Sequence, residues 1–280
     1  MISVFPLRRI LFFWDSIMKN KSLILVLSLI LTSTTHLLAK DFGNLIAYYT
    51  FDNIKNNTII NEVDNKAFTG KIEGAPKIEA GKFGKGISFA GKAEPKRQYI
   101  DIEEAYPYGD TDLSISLWGK VPKGANNNTR VGIIMGNYNK PNNCNIELHA
   151  LGQVRWWWNN GERDHKATRD LRDEKWHHLV FIRDKSNKKF MMYIDGKVEM
   201  EADGDVTDVK PLPQRIGGDK RGDNSHWFHG WIDDFAIWTE VLDAKSIKEI
   251  MEKGVEEYLA VTNPITTKGR LAVFWAKIKS

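Results

Sequence analysis

The chain has 280 residues, with 40 Lys and Arg against 36 Asp and Glu. That length exceeds one average domain and suits a single large all-β domain with appendages. Residues 1–39 hold four of the basic residues (Arg8, Arg9, Lys19, Lys21) and one acidic residue (Asp15), which leaves 36 basic against 35 acidic in the rest. A near-neutral remainder lacks the basic excess of a nucleic-acid binder, so no nucleic-acid partner is expected.

The start reads as an export signal. Lys19 and Lys21 precede the apolar run Leu23 to Leu31, and a small polar stretch then leads to Ala39. The run is short for a membrane-spanning helix, which needs about 20 apolar residues. Residues 1–39 are therefore assigned to the signal segment, with Met18 as the better start and cleavage after Ala39, although Leu37 is large for its position. An uncleaved anchor is the alternative. No stable membrane insertion is expected after cleavage, and the protein is placed as secreted, periplasmic or at the cell surface. Cys144 is the only cysteine. With no internal disulfide, the core or a bound ion must supply the stability. No cysteine follows the apolar run, which argues against lipid attachment.

From residue 40 onward, short apolar runs alternate with turn clusters, the pattern of a sandwich or barrel. The runs at 45–52, 87–89, 98–102 and 113–118 read as strands, and Leu113, Ile115 and Leu117 share one face. Further strands are predicted at 131–135, 146–150, 154–158, 176–183, 190–194 and 197–201, with a turn at Asp195-Gly196. Asp243 is a predicted N-cap, and Ile247, Ile250 and Met251 keep helical spacing until Gly254. Residues 256–280 form a tail containing Pro264 and the apolar piece 271–275. An added edge strand and a docking segment for another molecule both remain open for it.

The run 230–238, Gly-Trp-Ile-Asp-Asp-Phe-Ala-Ile-Trp, sets two carboxylates inside an apolar strand. A buried carboxylate needs a partner, whether a metal, an arginine or backbone N–H groups. A two-residue period puts Asp233, Phe235 and Ile237 on one face, read as the inner one, and Asp234, Ala236 and Trp238 on the other.

The motifs Ala47 to Asp52, Gly81 to Phe89, Leu113 to Trp118, Trp176 to Phe181, Tyr193 to Gly196, Ile216 to Gly218 and Gly230 to Phe235 occur in that order. Their combination resembles the laminin-G-like, concanavalin-A-like jelly-roll family in its bacterial secreted form, over roughly residues 45–255. The resemblance implies an all-β fold, with two antiparallel sheets in a jelly-roll sandwich spanning 40–255, one short C-terminal helix and the tail. It also implies a structural calcium ion where the first strand meets the last, which carries over to Asp52 and Asp233, with Asp64 as a further candidate. Glycans or matrix proteins are the implied ligands, and the same fold also carries glycosidases.

Trp156-Trp157-Trp158 is the candidate binding surface. In a strand Trp157 points opposite to its two neighbours, and a flat indole stacks on sugar rings. Asn159, Asn160 and Arg163 are placed to hydrogen-bond hydroxyls. The competing reading puts Trp156 and Trp158 in the core and Trp157 under a loop. Tyr99-Ile100-Asp101-Ile102-Glu103 resembles the carboxylate strand of related β-glucanases, but Tyr99 stands where the nucleophile would be. His177 and His178 face opposite sides of a strand and cannot chelate one metal together. Arg221-Gly222-Asp223 is explained by its Gly-rich turn. The expected function is a non-catalytic extracellular module, calcium-stabilised, that binds a glycan or an extracellular protein. A glycoside hydrolase of the same fold and a structural or adhesion protein are the alternatives.

Overall fold

The structure is a computed structural model. It describes residues 43–262, apart from 65, 92–96, 126–131, 138–140, 150, 160–162, 205, 219 and 221–225. The expected signal segment, the Arg221-Gly222-Asp223 turn, Asn160 and the tail beyond residue 262 lie outside the described residues.

Two antiparallel sheets form the sandwich, with strands numbered in chain order. The eight-stranded sheet runs β15 (Lys197–Asp203), β14 (Lys189–Ile194), β13 (Trp176–Asp184), β8 (Leu113–Lys120), β17 (His229–Trp238), β6 (Lys85–Ala90) and β5 (Lys77–Ala80). β1 (Leu45–Tyr49) also pairs with β17. The nine-stranded sheet runs β12 (Arg163–Lys166), β11 (Val154–Asn159), β10 (Asn143–Leu148), β9 (Gly132–Gly136), β16 (Pro213–Ile216), β7 (Tyr99–Ala105), β4 (Gly70–Glu73), β3 (Thr58–Ile59) and β2 (Ile54–Lys55). This is the jelly-roll sandwich that the motif order implied.

The main core lies between the sheets. Leu113, Ile115 and Leu117 of β8, Phe235 and Ile237 of β17, and Ile100 and Ile102 of β7 all join it. Alternate residues of β8 are buried too, because a second apolar layer covers the other side of that sheet. There Tyr48, Val180, Ile182, Ala236 and Trp238 pack against Ile247 and Ile250 of helix α1 (Ala244–Lys253). The helix starts as the sequence predicts: the Asp243 carboxylate accepts from the Ser246 N–H at 2.7 Å. It ends at Gly254, whose φ of 80° is costly for other residues and whose N–H reaches the Ile250 carbonyl. Helix α2 (Val255–Thr262) follows at once, so the first residues of the expected tail are helical and do not add a strand.

The two-residue period fails inside β17. Ile232 and Phe235, three apart, both belong to the main core. The pairing with β8 shifts between Asp233 and Ala236, and Asp234 has φ 48°. This is a β-bulge, which consumes one residue of alternation and reverses the parity. Counting from either side, Asp233 and Asp234 both leave the core face. The expectation that Asp233 shares the inner face with Phe235 is corrected accordingly, while Phe235 and Ile237 are inward as expected.

Candidate ligand-binding face

With helices lying on the eight-stranded sheet, the outer face of the nine-stranded sheet is the place to look for exposed chemistry. Trp156 is fully buried and Trp158 is 3% exposed, and both pack in the core against Phe190. Trp157, the alternate residue, is half-buried on the outer face. Arg155, two residues earlier on the same face, holds its guanidinium 4.8 Å from the Trp157 ring centre. The Glu147 carboxylate, opposite Arg155 on β10, accepts from Arg155 Nε at 2.9 Å and also from Nη2. The carboxylate fixes the arginine and the arginine lies against the indole, so the ring is held in place from one side.

Asn159 ends β11 with φ 57°, opposite the fully buried Asn143. Neither amide atom of Asn143 has a hydrogen-bond partner among the described residues. Arg163 pairs with Trp158 in β12, so the residue across from Trp157 is Asp164. Of the three candidate ligand residues, the structure therefore brings Trp157 and Asn159 to the C-terminal end of β11, while Arg163 is offset by one register position.

A second cluster occupies the same face four strands away. Arg215 of β16 is opposite Asp101 of β7, and that carboxylate accepts from Arg215 Nη2 at 3.1 Å and from Lys220 Nζ. The Arg215 guanidinium also lies 4.2 Å from the Tyr99 ring centre. Tyr99 stacks on Trp227 with centroids 5.7 Å apart and planes at 29°, and Arg97 lies 5.2 Å from the Trp227 ring centre. Sequence reasoning passed over this cluster, because its members come from four separate segments and Trp227 belongs to no motif.

The proposed calcium ligands do something else. Asp233 is fully buried, and its Oδ2 accepts from the backbone N–H of Lys82 at 2.7 Å and of Phe83 at 2.8 Å. Its Oδ1 accepts from the Asp234 N–H at 2.7 Å. Asp52 accepts from the Lys85 N–H at 2.9 Å, at the other end of the same turn. Asp64 is exposed and accepts from Lys66 N–H in a turn of its own. Asp52 and Asp233 are thus brought to one turn and Asp64 is not. Among the described residues no group of three His, Cys, Asp or Glu side chains converges as a ligand set. Calcium requires six to eight oxygens pointing inward, whereas the groups facing Asp233 are N–H dipoles with their positive ends toward it. The arrangement does not fit the ion; it fits the backbone-partner option for the buried carboxylate. Burial raises the Asp233 carboxyl to about 7, with the neighbouring Asp234 charge adding to the rise and the N–H bonds opposing it.

Other candidates are structural. His177 bonds Asp195 and Asp173, and His178 points the other way to Ser116 Oγ at 2.8 Å. Cys144 is buried in the core, and burial pushes its thiol up to about 12.

Comparison with known proteins agrees with this architecture. A structure of botulinum neurotoxin type C, whose cell entry is described as dependent upon interaction with two ganglioside molecules, superposes with a TM-score of 0.59 at 14% identity, over 75% of this chain and 51% of that one. The binding domain of Paraclostridial Mosquitocidal Protein 1 gives 0.59 at 16% identity, over 74% and 52%. The botulinum neurotoxin DC binding domain in complex with SialylT gives 0.59 at 16%, over 75% and 51%. The chain spans about half the length of these neighbours, and at such identities they show the fold alone. No curated protein matches the sequence. The laminin G pattern of the concanavalin A-like lectin/glucanases superfamily matches residues 95–248, more than half of the chain, from just before β7 to the middle of α1. The chain belongs to that family.

Proposed function

We propose that this protein is a non-catalytic, extracellular binding module that recognises a glycan or an extracellular protein on the outer face of its nine-stranded sheet. The observation that carries the reading is Trp157, presented on that face and braced by the Arg155–Glu147 pair before any ligand arrives. A side chain already ordered loses little entropy on binding, which favours stacking against a sugar ring or an apolar side chain. Structural neighbours named for a ganglioside interaction and for a complex with rat synaptotagmin II support glycan and protein ligands respectively.

Among the described residues of this face, the hydrolase reading gains no geometric support. Retaining hydrolysis needs two carboxyl groups about 5–5.5 Å apart and free to act. On this face Asp101 is held by Arg215 and Lys220, and Glu147 by Arg155. Glu103 is exposed beyond them. A glycan array on the protein from residue 40 onward, run with the wild type and Trp157→Ala, tests the proposal. Signals lost in the variant support it. Signals unchanged in the variant overturn the placement on this face, and no signal on the array or with extracellular proteins leaves the adhesion or structural reading.

A further inference from the structure

We infer that His177 is a pH-sensitive latch: its imidazolium form fastens the loop between β12 and β13 to the β14–β15 turn, and loss of a proton releases the loop. The imidazole stands between two carboxylates. Nδ1 lies 2.8 Å from Asp195 Oδ2, in the β14–β15 turn, and Nε2 lies 3.0 Å from Asp173 Oδ1, in the loop. A neutral imidazole has one donor and one acceptor nitrogen, and an ionised carboxylate only accepts. Both contacts are hydrogen bonds only when both nitrogens carry protons. The carboxylates stay ionised, because against the cost of burial their hydrogen bonds hold them below the usual range. In turn Asp195 chiefly, with burial opposing and Asp173 adding, raises the imidazole above its ordinary value. The observed arrangement therefore belongs to the charged state.

The surrounding charges decide which bond breaks. Asp195 is held from other sides: Arg169 Nη1 donates to its Oδ2 at 2.8 Å, and the His178 N–H to its Oδ1 at 3.0 Å. Glu199 of β15 takes the other end of the same guanidinium. Asp173 has the Lys175 N–H at 2.9 Å, with Lys175 Nζ 3.9 Å away, and its side chain is 38% exposed. Elsewhere in the loop Asp170 and Arg172 pair with each other, and Glu174 is exposed. The residue across from His177 on β8 is Gly119, which brings no charge. His178 points to the other face, and burial lowers it to about 4, so it stays neutral. When one proton leaves, the remaining one stays on Nδ1, facing the better-anchored Asp195. Nε2 then turns a lone pair toward Asp173, and that carboxylate swings into water. The loop it leaves steadies the β10–β11 hairpin: the Leu171 N–H donates to the Gly152 carbonyl at 2.9 Å, and the Gln153 amide to the Thr168 carbonyl at 3.1 Å. The latch thus acts on the support of the strand that carries Trp157.

The test follows the His177 ring nitrogens by NMR and the amide hydrogen exchange of residues 168–175, corrected for intrinsic rates, from about pH 5 to 9. In the wild type His177 should titrate above 6.5, with the remaining proton on Nδ1 at high pH. Protection of the loop should fall about fivefold across the same midpoint, as for the loss of one hydrogen bond. Asp173→Asn separates the latch from any general loosening of the fold. Its amide oxygen can accept from the imidazolium and its N–H₂ can donate to the neutral ring, so the contact survives in both states. In this variant the His177 midpoint should drop and the fivefold step should vanish. A step that persists unchanged in Asp173→Asn overturns the latch, as does a flat loop profile in the wild type. The wild-type titration decides without any variant: a His177 midpoint at or below 6.5, or a high-pH proton on Nε2, overturns the mechanism.

Discussion

The carboxylate of Asp234, in the middle of the last strand, accepts a hydrogen bond at 2.9 Å from the N–H of Val255, the first residue of helix α2. Its other oxygen accepts from the Tyr48 hydroxyl at 2.7 Å. One bulge residue therefore ties the first strand, the last strand and the helix pair together. Asp234→Ala would strand both donors in a buried place, and each unmade bond costs about 1–3 kcal/mol. The expected result is a large fall in melting temperature, with hydrogen exchange at Val255 accelerated beyond the global change. Asp234→Asn can still serve both groups, since its amide N–H₂ can donate to the Tyr48 oxygen, and should cost much less.

The turn between β5 and β6 gives a matching prediction. Asp233 uses two oxygens for three N–H donors, and an amide has one oxygen. Asp233→Asn should therefore destabilise the protein by about 1–3 kcal/mol. Because N–H groups occupy the place of metal ligands, chelator should leave the melting temperature of the wild type unchanged. A chelator-induced fall that added calcium reverses would restore the ion and refute the backbone role.

The net dependence of stability on pH over the neutral range should be a fall. It is opposed in part by His178, whose imidazole is lowered by burial to about 4, so that its own contribution rises with pH up to about 6.5. Burial raises Asp233 to about 7 and Asp234 to about 6. His177 is also raised, chiefly by its bond to Asp195 and, against the cost of burial, by Asp173. For all three groups the folded state binds the proton more tightly than the unfolded chain. Their contribution is fully present below the unfolded values, about 4 for the carboxyls and 6.5 for the imidazole, and is lost as pH rises through the folded ones. The melting temperature should fall between about pH 5 and 8, and the fall should be shallower in Asp233→Asn. A profile that rises across the whole window would contradict the raised carboxyls of Asp233 and Asp234.

The tryptophan triplet separates core from surface. Trp156→Ala should cost roughly 3–5 kcal/mol, as for other large buried aromatics. Trp157→Ala should cost on the order of 1 kcal/mol, because the ring is half-buried and its loss opens no core cavity. Denaturant melts of the two variants should differ by a wide margin. Equal losses would show that Trp157 is a packing residue.

Export is tested separately. Mass spectrometry of protein recovered outside the cytoplasm should show a chain beginning near Lys40. Recovered material that retains residues 19–39 would refute cleavage after Ala39.

Local patterns carried most of the fold. The alternation in β8, the Asp195-Gly196 turn and the Asp243 and Gly254 caps are all written in a few adjacent residues, and each appears where the pattern puts it. The short strands β2, β3, β4, β5, β12 and β16 escaped, because two to four residues leave too little periodicity to detect. The bulge at Asp233 and Asp234 escaped for another reason. A parity change appears only when the strand is paired with its neighbour, and β8 lies more than a hundred residues away. Helix α2 was legible in principle, since Val255, Tyr258 and Leu259 keep helical spacing. The candidate site divides in the same way. Trp157 was visible from three consecutive indoles, whereas the partnership of Tyr99 with Trp227 joins residues 128 positions apart and exists only after folding.

Because α1 packs on one sheet and Trp157 stands on the other, the two sides of the sandwich are unequal. If the proposed binding face is the working one, each copy engages its ligand through one side only. Strong attachment to a surface then depends on how densely the copies are displayed, since each neighbouring copy raises the effective concentration of the next contact. Modest affinity in solution and firm retention on a crowded ligand surface are compatible properties of this architecture.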